Sequence, residues 1–365
     1  MVLLELFTDS CLSQASPSYR PRKGSRHIIM TEMRLLLLSI SLMLIGSAST
    51  ASAASLRSSL GVGYRNDQLT WSIAGNGPGN SSDVLSELEW EVDSFALSGD
   101  FWLLADNFAH SGPADAAQTP SVNLLSAPFV RLWGGYGFIY DGDNRDSDYS
   151  GDNRTGEYSR TENTADEGHV YDIAGAIGWE LTRQVTEGAA LTVAPFAGYG
   201  YSVQKLTITD GEQVIASPPA TPPVGPIAGL DSTYSTEWYG PLVGVNLRYA
   251  QRDSLGQDAF ALWVEGLFQW VDYEGEGEWN LRTDLDQEPS FKHWAQGDGW
   301  TVSGGGAYFI NSQNLIGADL SYSKWTADEE GDAEIYYANG ATASSEFNEA
   351  EWEAWSISLH YDYRF

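Results

Sequence analysis

The sequence predicts an all-β protein, a transmembrane antiparallel β-barrel of about ten strands. Three observations predict it: an N-terminal export signal, long stretches whose apolar residues recur at every second position, and a last strand that ends on an aromatic residue. The export signal comes first. Met33-Arg34 precedes a mainly apolar run from Leu35 to Ile45, broken only by Ser39 and Ser41, and small residues follow as far as Ala53. The run falls short of the ~20 residues a spanning helix needs, and Ala51-Ser52-Ala53 offers a cleavage site. Residues 1–53 are therefore expected to be a signal peptide with a mis-assigned N-terminal extension, initiated in truth at Met30 or Met33. Residues 54–365 are expected to form the barrel.

Removing the signal changes the composition that matters. Cys11, the only cysteine, goes with it, so neither disulfide nor thiolate chemistry is available to the mature chain. Five of the 19 basic and three of the 50 acidic residues go as well, which leaves 14 basic against 47 acidic residues, a net −33. Such a charge excludes nucleic acid as a partner and favours cationic ligands.

Alternation then places the strands. From Leu191 the odd positions read Leu191, Val193, Ala197, Tyr199, Tyr201 and Val203, while the even ones are mostly small or polar, with Phe196 the exception. The same pattern recurs in Phe260, Leu262, Val264, Phe268 and Trp270 against Glu265 and Gln269, and in Ile316, Leu320 and Tyr322 against Asp319 and Ser321. At the C-terminus Trp355, Ile357, Leu359, Tyr361, Tyr363 and Phe365 alternate with polar residues. One face of each such segment suits lipid and the other a lumen.

Ten segments result, at about 57–75, 86–105, 127–141, 167–184, 189–210, 232–251, 258–280, 291–310, 313–327 and 349–365. Long acidic or Gly/Pro-rich links at 76–85, 142–166, 211–231, 281–290 and 328–348 are expected outside the cell, with short turns near Glu187, Asp253 and Gln313 in the periplasm. The link at 106–126 breaks this rule, being long on the periplasmic side. Several segments exceed the ~9–11 residues that cross a bilayer, so the hairpins should stand above it as a rim. Ten strands are too few for an open aqueous pore. Inward parity is assigned to Arg131 and Arg248 among Glu89, Glu91, Glu180, Glu265 and Asp319, a charge-paired plug.

These features resemble the omptin family of ten-stranded outer-membrane barrels, surface endopeptidases and adhesins. The resemblance rests on Ser86-Glu87-Leu88-Glu89-Trp90, Asp141-Gly142-Asp143, Phe196-Ala197-Gly198-Tyr199 and the closing Tyr361-Asp362-Tyr363-Arg364-Phe365. It implies a location in the bacterial outer membrane, amid its lipid and lipopolysaccharide. It also implies a water-activating site in which Asp141 and Asp143 stand for the family's aspartate pair. Their parity, shared with Arg131, points both into the lumen.

The family's Asp-His dyad is missing, since Tyr273-Glu274-Gly275-Glu276-Gly277-Glu278 holds no histidine. His293, across the next outer loop, is the expected substitute, with Asp286 or Glu288 to orient its ring. A rim histidine paired with an acid for stability is the alternative. His169 has outward parity, and His360 lies near the periplasmic end. The loop repeat Gly142-Asp143-Asn144-Arg145 and Gly151-Asp152-Asn153-Arg154 is oxygen-rich enough to hold calcium, although it departs from the EF-hand pattern; otherwise no cofactor is expected. The expected function is a non-catalytic surface barrel whose acidic mouth binds cationic peptides or proteins. The alternative is an aspartic-type endopeptidase that cleaves basic peptides by activated water.

Overall fold

The computed structural model describes residues 55–75, 82–105, 124–218 and 222–364; the expected signal peptide, most of the 106–126 link and Phe365 lie outside them. In chain order the strands are β1 (Ser55–Ile73), β2 (Ser86–Leu104), β3 (Leu124–Gly151), β4 (Thr155–Thr164), β5 (Gly168–Thr186) and β6 (Ala189–Ala216). There follow β7 (Gly225–Pro226), β8 (Asp231–Arg252), β9 (Asp258–Glu278), β10 (Phe291–Phe309), β11 (Asn314–Tyr336) and β12 (Thr342–Arg364). Ten of them close a ring of antiparallel pairs, each on its neighbour, and β1 seals the seam against β12 from Arg57↔Arg364 upward. The other two lie above the ring: β4 bridges β3 and β6, and β7 pairs with β6.

The predicted segments match these strands closely except at the extracellular ends of β3, β6, β11 and β12, where they fall short. Much of the expected links at 142–166 and 328–348 is paired strand, because polar alternation above the membrane reads as loop when only apolar residues are counted. Outside, an apolar belt girdles the ring. Leu262, Leu320 and Ile357 are exposed on it, and Val193 shares the outward parity of exposed Leu191 and Tyr199. Aromatic residues mark its two borders, Phe138, Trp270, Trp300 and Trp355 above and Trp179, Phe260, Tyr308 and Tyr361 below. That is the pattern by which barrel strands settle in a bilayer. Every ring strand but β5 continues past the upper border, and β4 takes the place of β5 there, so a large part of the barrel stands outside the membrane.

Inside the membrane band the lumen is crossed by ion pairs at three levels. Lowest, Arg57 on β1 and Arg248 on β8 both donate to Glu180 on β5, at 2.7 and 3.1 Å. Above them Arg131 on β3 donates to Glu265 on β9 at 2.7 Å and to Asp100 on β2 at 2.9 Å. Its guanidinium lies 4.6 and 4.3 Å from the ring centres of Trp102 and Trp133, with Phe196 beside them, so this inward aromatic residue of β6 completes a socket for the arginine. Highest, Arg65 on β1 donates to Asp172 on β5 at 2.6 Å.

Candidate functional site

The extracellular half of the barrel, the expected acidic mouth, is filled within. Its inner wall reads Leu69, Trp71 and Ile73 on β1, Leu88, Trp90 and Val92 on β2, Tyr234 and Trp238 on β8, and Phe347 and Trp352 on β12. All belong to one buried cluster, and Trp71, Trp238, Trp352, Tyr234, Tyr273 and Phe347 are less than 2 % exposed. Trp71 sits 5.5 Å from Tyr234 and 5.9 Å from Phe291, and Trp325 stacks on Trp352 at 4.5 Å. Glycines make the room: a methyl group at Gly277 would overlap the Phe291 ring, and one at Gly299 would overlap Trp325.

His293 faces inward as its parity predicts, yet it is one of this column's members. It is 2 % exposed, packed edge-on against Trp71 at 4.6 Å and near Phe347 at 4.6 Å. Its Nδ1 shares a 3.0 Å hydrogen bond with the Tyr234 hydroxyl, itself 2.5 Å from that of Tyr273. The expected orienting acids are elsewhere, since the Asp286 carboxylate accepts from the backbone of Gln287. Desolvation alone pushes the imidazole down to about 3.

A stability consequence follows with a definite sign. The folded ring stays neutral while the unfolded one takes up a proton as pH falls through about 6.5, so the stability is complete above that value and is lost progressively below it. At pH 5 the loss from this residue is about 2 kcal/mol. Urea unfolding of wild type and His293→Phe at pH 7.5 and pH 5 should show the gap between them narrowing or reversing at the lower pH. A gap independent of pH would mean the ring titrates alike in both states.

The aspartates lie on the other side of the wall. On β3 the pairing with β2 slips between Ser94↔Ile139 and Asp93↔Asp141, which leaves Tyr140 as an extra residue. A one-residue bulge exchanges the two faces of everything beyond it. Below it Arg131 and Ile139 face inward; above it Asn144, Asp146 and Asp148 do, and Asp141 and Asp143 are exposed on the outer surface. The expected inward parity of the pair is thus corrected, and the structure does not bring Asp141 and Asp143 together with His293. Glu89 and Glu91 are corrected likewise, because Leu88, Trp90 and Val92 occupy the inner positions and Glu89 meets Arg145 at 3.5 Å on the outside.

The inward acids that sequence reasoning missed are Asp146 and Asp148, 7 % and 2 % exposed. Burial and the neighbouring Asp146 carboxylate push the Asp148 carboxyl well above the usual carboxylate range. Asp146 borders a small cavity of about 20 Å³ with Asn163, Ser232 and Arg282, room for one water and no substrate. The two copies of the Gly-Asp-Asn-Arg repeat are separated, the first inside β3 and the second at the hairpin tip, where Asn153 and Arg154 take positive φ of 57° and 56°. Among the described residues no three His, Cys, Asp or Glu side chains are placed to hold a metal ion.

The carboxylates that alternate with the column form an outward collar above the aromatic border: Asp141, Asp143, Asp272, Glu274, Asp298 and Glu353 among them. Few basic residues answer them there. Lys324 is held by Glu351 and Glu353 at 2.8 Å each, and Lys292 by Glu276.

Comparison with known proteins agrees with this architecture. A family model described as "Pom: Protochlamydia outer membrane protein" matches residues 59–365. No curated protein matches the sequence. Among solved structures, the outer-membrane protease OmpT of Escherichia coli superposes with a TM-score of 0.61 at 12 % identity, covering 85 % of this chain and 97 % of that one. The translocator domain of the autotransporter NalP of Neisseria meningitidis covers 93 % of this chain and 96 % of its own at 11 % identity, with a TM-score of only 0.28. At 12 % identity the likeness to OmpT is one of fold, an omptin-like barrel whose chemistry has to be read from its own residues.

Proposed function

The chain belongs to the Protochlamydia outer membrane protein family, and from that premise we propose that this outer-membrane barrel is a non-catalytic surface protein that binds cationic peptides or proteins through its acidic outer collar. One observation carries the reading. In the half that stands outside the cell the interior is a dry aromatic column, and the carboxylates that alternate with it point to solvent. A water-activating peptidase needs the reverse arrangement, with acids and base facing one another across a wet cleft. Among the described residues, the one imidazole facing inward at that height is sealed beneath Trp71 and held neutral by its surroundings.

What the collar offers is a field. Exposed carboxylates at this density attract a polycation from a distance and hold it through many weak contacts, each screened by salt. The apolar belt beneath meets lipid, with lipopolysaccharide as the expected outer leaflet. A labelled Lys/Arg-rich peptide should bind the refolded barrel at low ionic strength and lose at least about tenfold in affinity between 50 and 300 mM salt. Mass spectrometry of the same mixture should show the peptide intact. Salt-independent binding would sink the collar reading. Cleavage after Lys or Arg, abolished by Asp143→Asn, would restore the peptidase one.

A further inference from the structure

We propose that the periplasmic end of the lumen is a binding site for a phosphate-bearing small solute, held by Arg57, Arg248 and Arg364. The motive is an arrangement that a purely structural plug would avoid. Arg57 and Arg364 are direct cross-strand partners at the β1–β12 seam, and like charges placed opposite one another weaken a ladder. Arg248 reaches the same spot from β8, since its Nη2 and the Nη1 of Arg57 both donate to Glu180 Oε1. Three guanidinium groups thus meet one buried carboxylate, Glu180, and one at the rim, Asp258, 3.3 Å from Arg364 Nη1. The remaining acid nearby, Asp362, is engaged by His360 Nδ1 at 2.8 Å.

All three arginines line a single cavity of about 400 Å³ in the membrane-level lumen. That volume suits a small organic ligand. Among the described residues, Arg248 uses only Nη2 and Arg364 only Nη1, so each presents further donors to the cavity. Arg364 is steadied by the Phe309 ring 4.5 Å beneath it. The forked guanidinium matches phosphate geometry, and a dianionic phosphate monoester relieves the crowding of positive charge more fully than a carboxylate does. Higher in the same cavity the wall formed by β10, β11 and β12 carries hydroxyl groups, Ser303, Ser321, Ser356 and Ser358, suited to the polar body of such a solute.

Topology decides the source. The three arginines stand at the periplasmic ends of their strands and face the lumen, away from lipid, while the aromatic column occupies the barrel above. Entry and exit are therefore periplasmic, and a free solute fits where a lipid headgroup would have to leave its leaflet.

Calorimetric titration of the refolded full barrel with inorganic phosphate, glycerol 3-phosphate and a short-chain phosphatidic acid tests this. Saturable binding of the first two is expected, weakened at least about tenfold by Arg248→Gln and by Arg364→Gln and unchanged by Arg282→Gln. Glu180→Gln frees two guanidinium groups and should tighten binding several-fold, an outcome that a damaged fold cannot imitate. No saturable binding, binding unaltered in both lumenal arginine variants, or preference for phosphatidic acid over glycerol 3-phosphate would each overturn the proposal.

Discussion

Replacing Trp71 by alanine should cost the barrel about 3–5 kcal/mol and loosen its extracellular half without releasing it from the membrane. The indole is 0 % exposed and is the common neighbour of Trp90, Tyr234, Phe291 and His293, with ring centres 4.6 to 6.4 Å away. Its removal leaves a cavity that neighbours fixed to strands of a closed ring cannot fill. The control is Trp270→Ala, since Trp270 is half exposed at the lipid border and a truncation there leaves no internal void. Urea titration in lipid vesicles should shift the Trp71→Ala midpoint far more than the Trp270→Ala midpoint. Equal shifts would mean that the column is not packed as described.

The second large effect belongs to Arg131. Arg131→Ala should also lose about 3–5 kcal/mol, because it strands Glu265, buried and left with Asn246, and empties the socket between Trp102 and Trp133. The cost lies mainly in the uncompensated charge. Arg131→Met combined with Glu265→Leu should therefore recover most of the loss, although it has lost more polar contacts than the single variant. If the double variant is no better than the single one, the stacked guanidinium itself, and not the abandoned carboxylate, carries the stability.

The contrast between Arg131 and the Asp141/Asp143 pair explains what the sequence could and could not convey. Arg131 was legible as an inward charge because β3 alternates without interruption from Phe129 to Ile139, and Glu265 and Glu180 were legible for the same reason. Asp141 and Asp143 were not. A single extra residue at Tyr140 reverses the faces, and no local pattern among exposed acids reveals it. On β2 the pattern was present but weighed wrongly: Leu88, Trp90 and Val92 between Glu87, Glu89 and Glu91 declare which side is dry. Such a reading requires abandoning the expectation that a barrel mouth is polar within. His293 shows the limit from the other direction, since parity placed it inside and only tertiary packing determines that its surroundings are rings and not water.

The collar of carboxylates has a consequence for how long the protein stays where it is. To withdraw from the bilayer, the strands would have to draw Asp272, Glu274, Asp298, Glu353 and their neighbours back through hydrocarbon, at a cost for each acid that is greatest at the bilayer midplane. With the aromatic column folded behind them, these groups form the head of a rivet, wider in charge than the hole it passed through. Assembly is then a one-way passage completed in the unfolded or half-closed state, and residence in the membrane is set by a kinetic barrier, not by the depth of an equilibrium.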